Sequence, residues 1–387
     1  MLLHNKKIAI VGGGPGGLTL AKLLQQEGAA VTVYERDTDE HARVQGSPLD
    51  LHDNSGLAAI RKAGLLEDFK NSFMAGADKM QIMDANATVI YSDHDKKVLE
   101  NFGDPHFRPE IDRGVLRKLL LGSVQPETVV WNSHFTSMEN HNEGWILHFK
   151  DGNTAYADLV IGADGANSKI RPYLTDITAF YSGITMLEGN IYHAATNAPD
   201  INTLLKGGKI MAFGNNKNLL MGQKADGAIG FYASLRTAEN WVSSNGLDYT
   251  DNAQLLSWFQ SAYPEWDKIW SQLFTSAAVF IPRPIYCIPT DQYWESKSNL
   301  TLLGDAAHVM PPFAGEGVNM AMLDALELSV CLTSGHYLSV KEALTAYEHK
   351  MRLRAAEVAK ESLENGERMH AENALHTMLD FFSGHDE

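Results

Sequence analysis

Lys7 to Val11 reads as a short apolar strand, and Leu18, Ala21 and Leu24 then recur at helical spacing, giving one apolar stripe. Gly28 stops that helix, and Val31 to Glu35 reads as a second strand. Strand, helix and strand in such a short stretch form a crossover unit, so a parallel sheet is expected to open the chain. The same style returns between 95 and 170. It holds a helix near Arg113 to Leu121 and strands near Thr128 to Trp131, Trp145 to Lys150 and Leu159 to Ala163.

The middle, 178–285, reads differently. Short runs at Lys209 to Phe213, Leu219 to Gly222 and Ile229 to Leu235 are separated by Gly/Asn turns, which predicts an antiparallel sheet, with helices between Trp241 and Trp270. Asn299 to Leu303 is again a buried strand, followed by a loop and a helix from Gly317 to Leu332. Ser339-Val-Lys-Glu342 is a capping box. Val340, Leu344, Tyr347, Met351, Ala355 and Val358 then follow at spacings suited to one long helix. The fold class expected is α/β: a Rossmann-like dinucleotide-binding domain interrupted by a β-rich domain, with a long C-terminal helix.

Composition narrows the classes. The chain has 387 residues and a formal net charge of −16, which disfavours a protein that neutralises phosphate backbones, so no nucleic-acid partner is expected. No apolar run is long enough for a transmembrane helix, and the N-terminus lacks a secretory apolar region, so no membrane partner and a cytoplasmic protein are expected. Cys287 and Cys331 have no neighbours at metal-ligand spacing, so both are expected reduced and no metal is expected.

Gly12-x-Gly14-x-x-Gly17 stands between strand and helix. Gly12 permits the tight turn, Gly14 lets backbone approach a pyrophosphate, and Gly17 lets the helix sit close to the strand. Glu35 ends the second strand, where its carboxylate can accept from ribose hydroxyls and disfavours a 2′-phosphate. NAD and FAD both satisfy this motif.

Two further motifs separate them. One is a strand running into Asp164-Gly-x-x-Ser168-x-x-Arg171. The other is Gly304-Asp305-Ala-Ala-His308, followed by Pro311-Pro312-Phe-Ala-Gly315-Glu316-Gly317-Val-Asn319. Asp305 ends a strand, where α/β folds place ligands, and can accept from ribityl hydroxyls. The Gly315–Gly317 turn opens a helix whose bare amides suit an anion such as the N1–C2=O edge of a reduced flavin. Pro311 and Pro312 supply a stiff wall without donors.

With these motifs in this order, the chain resembles the single-component FAD-dependent aromatic hydroxylases, from end to end. Leu23-Leu-Gln-Gln26, Leu49-Asp-Leu-His52, Lys62-Ala-Gly-Leu-Leu66 and Met310-Pro-Pro-Phe-Ala-Gly315 bring it close to tetracycline-inactivating monooxygenases of the Tet(X) type. The resemblance implies that NADPH, bound transiently, reduces FAD. Dioxygen then adds at flavin C4a, and one oxygen passes to an electron-rich aromatic or polyketide-like substrate. It implies no catalytic side chain, a monomer, and flavin contacts from Arg36, Asp50, Arg113, Asp164, Asp305, Pro312, Gly315, Gly317 and Asn319. Arg43 is implied near the pyrophosphate and NADPH. Asp164 and Arg171 match the family's dual flavin/NADPH motif, with a salt-linked turn as the plainer reading. Arg117, one turn beyond Arg113, is expected to brace the site, and His308 to pack.

The domains expected are FAD-binding over 1–72, 95–177 and 286–335, substrate-binding over 73–94 and 178–285, and C-terminal helical over 336–387. Candidate substrate residues are Glu188, Asn190, Lys209, Phe213, Phe231 and Tyr232. Three positions depart from the tetracycline enzymes: Gly230 stands where they carry a histidine, and Glu188 and Glu316 stand where glutamines are expected. The first two remove a donor and add a negative charge, which disfavours tetracycline. Alternative functions are a flavin dehydrogenase or reductase without oxygen transfer and a non-catalytic flavin-binding protein. A flavin halogenase is disfavoured because no Trp-x-Trp-x-Ile-Pro motif is present.

Overall fold

The computed structural model describes residues 2–42, 48–96 and 100–383. Strand Lys7–Val11 pairs in parallel with Ala30–Tyr34 on one side and Leu159–Gly162 on the other. Strands Leu300–Leu302 and Val129–Val130 extend this to a five-stranded parallel sheet. Helix Pro15–Gln26 crosses between the first two strands with Leu18, Ala21 and Leu24 fully buried. It stops before Gly28, whose φ of 78° lies in the left-handed region that favours glycine. The expected crossover is therefore present, and Gly12, Glu35, Asp164 and Asp305 all fall at the carboxyl ends of parallel strands or just beyond.

A seven-stranded sheet faces the open side of this domain. Its order is Val279–Cys287, Phe180–Ile191, Ile229–Arg236, Lys217–Gln223, Lys209–Gly214, Met80–Asp84 and Val89–Ser92. The three middle strands sit where the alternation predicts them. Strand Phe180–Ile191 escapes that pattern because its last eight residues are all buried, so no polar face alternates with the apolar one. Val279–Cys287 carries Pro282 and Pro284, which only an edge strand tolerates, and it lies at the edge. One pair is parallel, Lys209–Gly214 with Met80–Asp84, a departure from the antiparallel expectation that arises because the early 80–92 hairpin joins the sheet from elsewhere in the chain. An aromatic core containing Phe231, Phe259, Trp270 and Phe274 packs behind it.

Helix Val340–Met369 runs across both layers and buries Leu344, Tyr347, Met351 and Ala355. Tyr347 donates its hydroxyl to the Leu302 carbonyl at 3.0 Å, pinning the helix to the parallel sheet. Ser339 accepts from the Glu342 amide at 3.2 Å, the first half of the expected capping box, while Glu342 reaches one residue further back and accepts from the Leu338 amide at 3.0 Å. A further helix, Ala374–Ser383, packs Ala374 and Met378 against Ile82 and Phe213. No helix among the described residues is long and apolar enough to cross a membrane.

Candidate active site

Both sheets open onto one continuous cleft of about 2710 Å³. The glycine turn forms one end. Gly12 has φ of 112°, and a Cβ there would lie 2.2 Å from the Ala163 carbonyl oxygen. A Cβ on Gly17 would lie 2.1 Å from the Gly12 oxygen, whereas one on Gly14 would meet nothing within 4 Å. Gly12 and Gly17 therefore hold helix against strand, and Gly14 faces open space. No side chain among the described residues caps that helix start. Glu35 accepts from the Gly13 amide at 2.6 Å and the Asp37 amide at 3.0 Å, so it braces the turn from within while lining the cleft. Arg117 is buried, pairs with Asp37 at 2.9 Å and stacks over Trp131, which braces the loop after Glu35. Arg36 is exposed on the cleft wall, and Arg43 lies outside the described residues.

The second motif is a turn without a salt link. Asp164 accepts from the Ser168 hydroxyl at 2.6 Å and from the Lys169 amide at 2.8 Å. Arg171 instead donates to the carbonyls of Ile177 and Ala307 and to Gln292, and its guanidinium lies 5.7 Å from the Trp294 ring centre. Burial pushes its pKa down to about 10. Arg171 thus ties the Asp164 turn to the Gly304–His308 turn.

Asp324, fully buried on helix Gly317–Thr333, organises that third turn. It accepts from the Gly304 amide at 2.8 Å, His308 Nε2 at 2.6 Å and Arg354 at 2.5 Å. Burial opposes ionisation of both groups, yet the mutual charge raises the pKa of His308 and lowers that of Asp324. His308 is therefore structural. Asp305 itself faces the cleft, opposite the exposed Arg113 at the start of helix Arg113–Ser123. Ser362 of the long helix donates to the Pro311 carbonyl at 2.5 Å, which clamps the proline wall.

Between these turns stands a histidine that the pattern of residues did not single out. His52 Nε2 lies 3.0 Å from Asp50, and Nδ1 lies 2.9 Å from Glu316. Burial alone would discharge the imidazole, but the two carboxylates raise its pKa to about 9. Burial opposes the charge on Asp50 too, and His52 and Lys209 hold that carboxyl below its usual range. Asn319 does not reach the cleft. It is fully buried, accepts from the His52 amide at 2.9 Å, and donates to the Asp50 carbonyl at 3.1 Å, so it sets the backbone that presents Asp50.

The sheet side of the cleft carries Glu188, Lys209 and Tyr232. Glu188 accepts from Arg283 Nε at 2.9 Å and from its terminal nitrogen at 2.8 Å, and Lys209 pairs with Glu110. Three expected substrate residues lie elsewhere. Phe231 points to the opposite face, packed on Phe274 and Phe280, because it alternates with Gly230 and Tyr232. Phe213 is buried against Ile82, Met369 and Met378. Asn190 is buried and holds Lys224 Nζ at 2.5 Å. Arg283 and Glu110, which sequence reasoning missed, lie on an edge strand and a two-residue strand that carry no periodic signal.

The residues present fit a flavin dinucleotide. Two uncapped helix starts, at Gly14 and Glu316, face the same cleft, with open space beside Gly14 and an arginine opposite Asp305. The sequence matches the family described as "FAD binding domain" over residues 5–218 and 291–362. It is 29% identical to Monooxygenase asqM of Emericella nidulans, covering 87% of this chain and 86% of that one. It is 28% identical to the 3-amino-4-hydroxybenzoate 2-monooxygenase PtmB3 of Streptomyces platensis, over 95% and 89% of the two chains. Among solved structures, tetracycline destructase Tet(55) superposes with a TM-score of 0.75 at 19% identity, over 96% and 92%.

Proposed function

From the premise that this chain belongs to the FAD-binding-domain family, we propose an FAD-dependent monooxygenase that hydroxylates an aromatic or polyketide-like small molecule at the expense of NADPH and dioxygen. One observation carries the reading: the glycine turn, the Asp305 turn and the Gly315–Gly317 turn share one cleft with one face of the seven-stranded sheet. A dinucleotide along the first three leaves the sheet to face its reactive ring.

FAD, when bound, supplies hydride acceptance and oxygen activation. The chain supplies position and charge. Gly14 and the amides after it take the pyrophosphate, Glu35 the ribose and Asp305 the ribityl hydroxyls. The start of helix Gly317–Thr333 offers partial positive charge to the flavin edge. His52 cancels the charge that Glu316 brings to that turn. Methionines 186, 211, 221, 310, 369 and 378 line the cleft, giving a polarizable wall that adapts to ring systems of different outline. Gly230 supplies no donor to a tetracycline, and Glu188 is already paired with Arg283.

The test is a scan of phenolic, aminoaromatic and tetracycline compounds with protein, NADPH and air. A product heavier by one oxygen atom, formed with stoichiometric oxygen uptake, supports the reading. NADPH oxidation with no oxygenated product from any compound favours a reductase.

A further inference from the structure

Glu316 immediately precedes helix Gly317–Thr333, at the end where that helix carries partial positive charge. A reduced flavin directs its own negative charge to that end, so two anions compete for one helix start. One Glu316 carboxylate oxygen is buried with no partner among the described residues, and the other lies 2.9 Å from His52 Nδ1. His52 Nε2 lies 3.0 Å from Asp50 on the opposite side. Each ring nitrogen thus faces a carboxylate oxygen at hydrogen-bond distance, and only an imidazolium has a proton for both. Asp50 and Glu316 line the cleft, and His52 sits buried between them.

We propose that Glu316 and His52 together set the reduction potential of the bound FAD: the carboxylate lowers it, and the proton on His52 raises it again. The proposal rests on the part of the functional reading that places FAD in this cleft. The nicotinamide C–H bond breaks and its hydride passes to the flavin, which gains two electrons, one proton and one negative charge. A neutral His52 then binds a proton from solvent on the lone pair of its bare ring nitrogen, and a charged His52 needs none. By reciprocity, whatever a protonated His52 adds to flavin reduction, reduction adds to the proton affinity of His52.

The charges around the ring favour this coupling. Burial works against the imidazolium, but Asp50 and Glu316 outweigh it, so His52 titrates near 9. Beyond Asp50 stand Lys209 and Glu110, which pair with each other. A Cβ on Gly317 would lie 4.0 Å from Asp305, whose charge Arg113 favours. Asp53, the residue after His52, pairs with Arg61.

The experiment is an anaerobic redox titration of FAD-loaded protein against dyes of known potential, between about pH 6 and pH 10. At neutral pH, Glu316→Gln should raise the potential and His52→Gln should lower it. Each shift should be at least about tenfold in the reduction equilibrium, which is about 30 mV for two electrons. Above pH 9 the wild-type potential should fall more steeply than that of His52→Gln. The excess should approach one proton per two electrons, about 30 mV per pH unit. NMR should find the His52 pKa about one unit higher in the reduced holoprotein than in the oxidised one. Potentials within about twofold of wild type in both variants, or a His52 pKa that reduction does not move, overturn the proposal. If His52→Gln retains no FAD, the Glu316→Gln potential and the wild-type His52 titration decide by the same limits. The titration needs neither substrate nor oxygen. Coupled potentials in a holoprotein that oxygenates nothing therefore support the pair and count against the monooxygenase reading, whereas protein that takes up no FAD overturns both.

Discussion

His52 Nδ1 lies 2.9 Å from Glu316 Oε1, so the carboxylate between the two glycines of the flavin-facing turn is met by a buried imidazolium. Without that partner, Glu316 would place an uncompensated negative charge where the helix start is arranged to receive one. The pair makes the turn sensitive to alkaline pH. The folded pKa of His52, about 9, lies above the usual 6.5, so its stabilisation is complete below about pH 6.5, fades above it and is lost once pH passes 9. The shift corresponds to roughly 3 kcal/mol. His52→Gln should lower Tm by a few degrees at pH 6, and the difference should vanish near pH 9.5. A constant difference across that range would show that the charge on His52 is not what holds the turn.

Gly14→Val separates folding from cofactor binding. Its backbone, φ −78° and ψ 179°, suits valine, and the new side chain would meet only open cleft. Chemical denaturation should move by less than about 0.5 kcal/mol. FAD affinity should fall at least about 100-fold. Equal affinity would refute the loop assignment.

Asp305→Ala should yield largely colourless protein, because Asp305 faces the cleft and has no structural partner to lose among the described residues. Full FAD retention, read from the visible spectrum, would remove Asp305 from the cofactor site.

Asp324→Ala acts from behind the same turn. It strips His308, Arg354 and the Gly304 amide of their shared acceptor, and breaking a buried ion pair costs about 3–5 kcal/mol. Unfolding by denaturant should show a loss of that size together with weakened FAD binding. A loss under about 1 kcal/mol would mean that the network is not needed.

Much of this site was legible in the sequence because glycine and aspartate mark strained or charged backbone at fixed offsets. Gly12 and Gly17 fall where close approach of backbone demands them, Gly14 faces the open cleft, and Asp305 follows its strand as expected. Asn319 shows the limit. Its place in the motif is real, but its amide is spent on the backbone of Asp50 and His52, 267 residues earlier for the latter, a contact that no local pattern encodes. Phe231 was legible as a sheet residue but not by face, since its strand is buried on both sides, whereas Phe213 shares the face of Lys209 and Met211 and is covered there by Ala374 and Met378 of the last helix. His52, Glu110 and Arg283 gain meaning only from partners on distant strands and turns.

Tetracycline should turn over poorly beside Tet(X)-type enzymes, because Gly230 lines the cleft without a donor and Glu188 is already paired with Arg283. Comparable kcat/KM for tetracycline would show that another group supplies the missing contact.

Acid precipitation of the freshly purified protein, with the supernatant assayed for flavin, tests the shared cleft most directly. The account predicts FAD at about one per chain, or loading to that level when FAD is added to stripped protein. A supernatant without flavin, from a protein that cannot be loaded, would contradict it.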